Sequence, residues 1–227
     1  MIFWIACVVG LVAAYLLGST PSGYLAGRLL KGVDIRELGS GSTGATNVLR
    51  TLGKWPALAV LLVDVSKGVV AIEFARLFSR WLYASPDVAA PPAGLDLQAW
   101  TPWAVCAAGL AVVLGHSRSI WLRFTGGKSA ATGLGVLLAM SWPVALGAVA
   151  VVGATLAAFR IMSLSSLLGA LTAMALVCVL DEPLPYRLLV IAGGVYVILL
   201  HRANIRRLLA MTEPRLGQNS PGSRAKT

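Results

Sequence analysis

The sequence predicts an all-α integral membrane protein of about seven transmembrane helices, N-terminus outside and C-terminus cytoplasmic. Three observations carry this. Of 227 residues, 57% are hydrophobic and 12% charged, against roughly half and a quarter in a soluble domain. The apolar residues form continuous runs rather than amphipathic stripes, and hydrocarbon admits only backbone that is satisfied within its own segment. The charged residues gather in alternate connecting segments.

The first run, about 2–29, lacks a basic leader and a small-residue cleavage pattern, so it reads as a retained helix rather than a secretory signal. The second, about 55–80, carries Asp64, Lys67, Glu73 and Arg76. Their i,i+3 spacing pairs opposite charges and lowers the cost of taking them into a membrane. A third run, about 101–116, follows a loop at 85–98 that holds Pro, Gly and Asp. Trp142-Pro143 divides runs at about 128–141 and 143–159, and Pro183 and Pro185 divide 163–181 from 186–201, because the proline ring blocks a continuing helix. Several runs fall short of the ~20 residues of an isolated span. Five or six spans follow instead if 128–159 forms a re-entrant pair. Cys7, Cys106 and Cys178 lie inside apolar runs without metal-type spacing and read as small buried hydrophobes. Residues 1–211 read as one domain and 212–227 as a polar cytoplasmic tail.

Arg28, Lys31, Arg36, Arg50 and Lys54; Arg118, Arg123 and Lys128; Arg160; and Arg202, Arg206 and Arg207 fall on one side of a seven-span chain. Asp87, Asp96, Asp181 and Glu182 fall on the other, so the basic group is placed in the cytoplasm. The net charge of +10 is thus mainly a topology signal, suited to anionic membrane lipid. A nucleic-acid role needs a soluble basic face that this chain lacks.

Four segments on the basic side are unlike ordinary loops. Residues 39–47, GSGSTGATN, are followed by Arg50. Glycine-exposed amides, hydroxyls, an amide and a guanidinium can wrap a phosphate; a flexible linker or a close helix-packing segment fits the composition equally well. The second, Gly126-Gly127-Lys128, opens a predicted helix, where free N–H groups and a cation favour an anion. A nucleotide P-loop is excluded because position 122 is Leu. The third holds Ser163, Ser165 and Ser166, which can cap the next helix. The fourth holds His201 and Asn204, three apart on one helical face, beside arginines suited to headgroups.

Taken in order, Gly18-Ser19-x-Pro21-Ser-Gly23-Tyr24, Asp34-Ile-Arg36 with Gly-Ser-Gly-x-x-Gly-Ala-Thr-Asn47, Asp64-x-x-Lys67-Gly68, Gly115-His116, Gly126-Gly-Lys128-x-x-Ala-Thr132, Ser163-Leu-Ser-Ser166 and His201-x-x-Asn204-Ile resemble the bacterial acyl-phosphate:glycerol-3-phosphate acyltransferases, the PlsY family. The resemblance spans about 15–217 and rests on the ordered set rather than on any one motif. It implies transfer of an acyl group from acyl-phosphate to the sn-1 hydroxyl of glycerol 3-phosphate, giving lysophosphatidic acid and phosphate at the start of phospholipid synthesis, in the inner membrane with the site facing the cytoplasm. By the same resemblance, Ser40, Lys128, His201 and Asn204 are expected to be catalytic. It further implies that Arg50, Gly126, Gly127 and Ser166 bind substrate and that Glu213 supports the site; the residues themselves add Gly44, Thr46 and Asn47 as expected donors to substrate, and Asp64 and Lys67 as an expected brace for the site. No cofactor or metal is implied, and a monomer is expected. The chain departs from the pattern where the family usually has Asn at 42, Lys at 125, Gly at 129 and 211, and an aromatic-Pro pair around 117–119; Arg118 or Arg123 is expected to offset the loss at 125.

Acyl-phosphate is already activated, so a protein must mainly align the alcohol with the carbonyl and stabilise charge. The His-x4-Asp dyad of other acyltransferases is absent at both histidines, since Trp121 follows His116 and Arg206 follows His201 at that spacing. The alternative from another class, an organic-phosphate transporter, would be expected to show two related halves and broken midplane helices, and no such halving is visible.

Overall fold

A computed structural model describes residues 1–217; the tail expected over 212–227 therefore lies partly outside the described residues. The regular elements are α1 (Ile2–Ser19), α2 (Ser22–Lys31), α3 (Ala45–Leu52), α4 (Lys54–Ala84), α5 (Pro86–Ala89), α6 (Leu97–Ser117), α7 (Ala130–Met140), α8 (Trp142–Phe159), α9 (Met162–Val179), α10 (Leu184–Leu200) and α11 (Arg202–Leu209), with 3-10 turns at Ile35–Glu37 and Ile120–Leu122. Among the described residues there is no strand, only one isolated antiparallel bridge between Ser119 and Thr125.

The apolar run expected to be continuous over about 2–29 breaks at Thr20-Pro21. Proline has no N–H to donate and pushes the preceding residue out of the helical region; Thr20 accordingly sits at φ −53, ψ 116. By length and composition four helical runs can cross a membrane: α1 with α2, α6, α8 and α9. The α10–α11 pair makes a fifth if its 61° bend belongs to one span. At 31 residues α4 is the longest helix, about 46 Å at 1.5 Å per residue, and its ionisable residues set it apart from the apolar helices. The run at 128–141 is helical for only 11 residues, Ala130–Met140, about 16 Å and half of a ~30 Å hydrocarbon core.

Small residues bring the backbones together. A β-carbon on Gly18 would overlap the Val112 carbonyl, and one on Gly115 the Tyr15 carbonyl, so α1 and α6 touch main chain to main chain. The same holds for α4 and α7, where Gly68 faces the Thr132 carbonyl and Gly135 the Val65 carbonyl. Lipid tails are as apolar as leucine, so this close packing is what holds membrane helices together. Ala71, Ile72, Val105, Val112, Val136 and Leu189 fill the centre, while Val8, Val12, Leu62, Val70, Leu171 and Leu199 face outward. Cys106 is buried as expected, but Cys178 is exposed on the outer face of α9. At one end Phe3, Trp4, Tyr83 and Trp100 make an aromatic cluster, the kind of side chain that favours a membrane interface. At the other end lie all four polar segments.

These contacts make the glycines unequal. Gly135→Val, which places a side chain against the α4 backbone, is expected to cost about 1–3 kcal/mol. Gly153→Ala, with open space around the added carbon, is expected to leave stability unchanged or slightly higher. Thermal melting of the detergent-purified variants checks this, and equal melting temperatures would refute it.

Candidate active site

The loop before α3 is organised from inside. Asp34 caps the Ile35–Glu37 turn by accepting from the Arg36 amide at 3.0 Å, and the Arg36 guanidinium donates to the same carboxylate at 2.7–3.3 Å. These bonds hold the Asp34 carboxyl at about 2, below the usual carboxylate range, against the opposing effect of burial. Asn47, 1% exposed, is the hub. Its Nδ2 donates to the carbonyls of Ile35, Leu38 and Ser42 at 2.9–3.1 Å, and its Oδ1 accepts from the Ser40 amide at 2.8 Å. Asn47, expected to bind substrate, spends its amide hydrogens inside the loop. What the loop presents outward is Ser40, exposed, with Gly44 and Thr46 at the start of α3. Gly39 (φ +58) must be glycine twice over, since a β-carbon there would also collide with Asn47 Oδ1.

The second segment folds back on α6. The Gly127 amide donates to the His116 carbonyl at 3.1 Å, so this N–H is not available to an anion, and Ser129 Oγ donates to the Val113 carbonyl at 2.8 Å. Arg36 Nη1 approaches Thr125 Oγ1 at 3.4 Å. It is thus Arg36 that brings a guanidinium to position 125, while Arg118 turns to the Phe124 carbonyl. Two departures from the family pattern gain a physical meaning. Ser129 (φ +58) and Met211 (φ +56) occupy left-handed backbone, where glycine is at no disadvantage.

Lys128 joins the remaining segments. Its Nζ donates to Asn204 Oδ1 at 2.6 Å, and Asn204 Nδ2 donates to Glu213 Oε1 at 2.6 Å. Ser163 Oγ donates to the same Glu213 oxygen at 2.8 Å and Arg207 Nε to the other at 2.6 Å. Arg50 Nη2 reaches the neighbouring Pro214 carbonyl at 3.4 Å. Ser163 is therefore the serine of α9 in this network. Ser165 bonds the Ile161 carbonyl, and Ser166, half-buried, makes no hydrogen bond to the network; none of the three caps α9, whose N-cap is Ile161. His201 is 3% exposed at the bend between α10 and α11, with Nδ1 2.8 Å from the Val197 carbonyl. A carbonyl can only accept, so this contact puts the proton on Nδ1 and leaves Nε2 a lone pair.

Burial pushes the Lys128 ammonium down from its ordinary value; Glu213 opposes this, and Arg207 and Arg50 reinforce it. Burial pushes the Glu213 carboxyl up, but the hydrogen bonds from Asn204, Arg207 and Ser163 outweigh it and hold the group ionised. Arg207 pairs with the Glu213 carboxylate at 2.6 Å, Lys128 reaches it through Asn204, and Arg50 stands near enough to Lys128 to push its ammonium down, so cations outnumber the carboxylate, a balance that suits an anion. Glu213 thus bonds Ser163, Asn204 and Arg207 from within the stretch expected as a tail. Residues 212–216 lie against the site, with the Leu216 amide on the Arg160 carbonyl at 2.7 Å.

Beneath the loops lies a second polar cluster. Asp64 Oδ1 accepts from Ser22 Oγ at 2.5 Å and Lys67 Nζ at 2.7 Å, and Lys67 also donates to the Thr20 carbonyl at 2.6 Å. Asp64 and Lys67 are 1% and 3% exposed and tie α4 to the start of α2. Glu73 and Arg76 pair at 2.6 Å farther along α4, away from the site. Two residues of the site were not foreseen. Arg207 carries a signal, standing three positions after Asn204 on the same helical face; Ser22 stands inside the ordered set Gly18–Tyr24, where no role is attached to it.

Comparison with known proteins follows the same geometry. A family described as glycerol-3-phosphate acyltransferase matches residues 8–211. A glycerol-3-phosphate acyltransferase 2 of Rhizobium johnstonii is 72% identical, covering 96% of this chain and 99% of its own. A glycerol-3-phosphate acyltransferase of Trichormus variabilis is 54% identical over 95% and 94%. The crystal structure of PlsY (YgiH), an integral membrane glycerol 3-phosphate acyltransferase, in its glycerol 3-phosphate form superimposes with a TM-score of 0.78 at 35% identity, covering 93% of this chain and 96% of that one. Its lysophosphatidic acid form gives 0.75, covering 93% and 95%.

The positive-φ residues yield a prediction. Met211 is 93% exposed, so Met211→Gly removes backbone strain without losing packing and is expected to stabilise by about 0.5–1 kcal/mol. Ser129→Gly relieves the same strain but loses the bond to Val113, and is expected to gain less. Paired thermal melts decide it; a destabilised Met211→Gly would contradict the reading.

Proposed function

The chain belongs to the glycerol-3-phosphate acyltransferase family and is an acyltransferase of the membrane, and on that premise we propose how its four polar segments divide the reaction. The acceptor, glycerol 3-phosphate, places its phosphate against Lys128, Arg50 and Arg207. The observation that carries this is the Lys128–Asn204–Glu213 chain, which gathers cations from three segments around a single carboxylate. The donor is an acyl-phosphate, its phosphate on the lip formed by Ser40, Gly44 and Thr46 and its chain among the outward apolar faces. Gly126 and Gly127 shape the loop that aims Lys128, and Ser166 lies a turn deeper on α9, beyond Ser163.

Transfer then needs alignment and a destination for one proton. The sn-1 hydroxyl attacks the acyl carbonyl, the carbon–oxygen ester bond forms, and the bond to phosphate breaks with its electron pair leaving on phosphate. His201 Nε2, with its free lone pair, accepts the hydrogen bond that orients the hydroxyl, and Asn204 is held beside it by Lys128 and Glu213. The departing phosphate takes the proton. Donors on the 39–47 loop and the neighbouring cations stabilise the developing negative charge.

The same proposal sets the topology at about seven passages, with α7 as a partial one, the N-terminus outside and the C-terminus cytoplasmic. This places all four polar segments, and the arginines around them, at the cytoplasmic face of a bacterial inner membrane. The catalytic unit is a monomer, because the network closes within one chain. Family membership leaves the transporter alternative without support.

Two substitutions test the assignment in steady-state assays of lysophosphatidic acid formation. Lys128→Ala is expected to raise the KM for glycerol 3-phosphate by at least tenfold, on the scale of a lost charge-assisted bond of about 1.5–3 kcal/mol; an unchanged KM would remove Lys128 from the acceptor site. His201→Gln, which keeps a hydrogen-bonding side chain, is expected to hold kcat within about tenfold. A loss of 10²–10⁴, the scale of general-base catalysis, would assign the proton to His201.

A further inference from the structure

The glycine pair and His116 form one packed unit. A β-carbon on Gly126 would overlap the His116 carbonyl, and one on Gly127 would overlap the imidazole at Nε2. The imidazole is therefore the floor on which the loop rests. That floor is 7% exposed and fixed from beneath. His116 Nδ1 lies 3.6 Å from Asp64 Oδ1, the oxygen that already binds Ser22 and Lys67. Lys67 in turn holds the Thr20 carbonyl at the break between α1 and α2. The residue after Gly127 is Lys128, so the height at which the glycines sit determines where the ammonium meets Asn204.

We propose that His116 is a positioning residue for the acceptor: its ring sets the height of the 126–128 loop and thereby aims Lys128 at the phosphate pocket. The proposal rests on the reading of that pocket as the glycerol 3-phosphate site. The ring acts by its bulk against Gly127 and its seating on Asp64, and makes no contact with reacting atoms. A side chain that only stabilised the fold would lower the amount of active protein and leave the KM of the surviving enzyme alone. A positioning side chain moves the KM for one substrate.

The test is size complementation across the His116–Gly127 contact, using full-length purified protein and titrating each substrate in turn, glycerol 3-phosphate and acyl-phosphate, with the other saturating. His116→Ala is expected to raise the acceptor KM on the order of tenfold, with the donor KM within about twofold, and Gly127→Ala to raise the acceptor KM by a similar factor. In the double variant the deleted ring leaves room for the added methyl group. Its acceptor KM is then expected to stay near that of either single variant, about tenfold, rather than reach the roughly hundredfold product of independent effects. His116→Gln, which keeps a polar group against Gly127, is expected to fall between wild type and His116→Ala, and serves if the alanine variant does not fold. An acceptor KM unchanged in His116→Ala and His116→Gln, or a hundredfold product in the double variant, would overturn the proposal. Absence of turnover in the wild type would instead overturn the acyltransferase reading beneath it.

Discussion

The arrangement depends on holding a lysine ammonium in a half-buried place among helix ends. Burial alone disfavours the charged form of Lys128, and two neighbouring guanidiniums add to the strain. Its neutralisation is indirect, passing through Asn204 to Glu213. An amide between the two charges keeps them from collapsing into a closed ion pair and leaves the ammonium capacity for further acceptors. An anion entering there would satisfy what Glu213 satisfies only in part. Removing Glu213 would leave Asn204, Ser163 and Arg207 without their common acceptor, so the support of the site and its charge balance are one property.

That network closes late in the chain but draws on all of it. Lys128 and Asn204 are 76 residues apart and Ser163 and Glu213 are 50 apart. Such contacts require the helices to meet at fixed heights, which the glycine contacts between α1 and α6 and between α4 and α7 provide. The buried Asp64–Lys67 pair adds a polar joint where α2 leaves the bundle. A buried pair of this kind is weak evidence for stability, since desolvation offsets much of its attraction. Its value here lies in where it holds the start of α2 and the His116 ring.

Much of this was legible in the sequence, and the remainder fails for identifiable reasons. The apolar runs and the one-sided charge disclosed a helical membrane protein, and motif order disclosed its chemistry. The break at Pro21 was hidden because helix resumes at Ser22, so hydropathy runs across it. Asn47 stands out in the sequence, but an amide can hold a loop or a ligand, and its bonds to Ile35, Leu38 and Ser42, which show it holding the loop, depend on a fold the sequence does not spell out. Ser163 and Ser166 stand three apart on one helix, and the difference between them is set by where Glu213 arrives from another part of the chain. Ser129 and Met211 stood out as departures from a pattern; their meaning needed the sign of φ.

On the proposed reading, this site joins an activated acyl group to a phosphorylated alcohol. The most direct measurement is to supply purified wild-type protein with acyl-phosphate and glycerol 3-phosphate and follow both products, with acyl-CoA as the comparison donor. Lysophosphatidic acid and inorganic phosphate are expected to be released one for one, from acyl-phosphate and dependent on glycerol 3-phosphate. Failure to form lysophosphatidic acid from acyl-phosphate would contradict that reading.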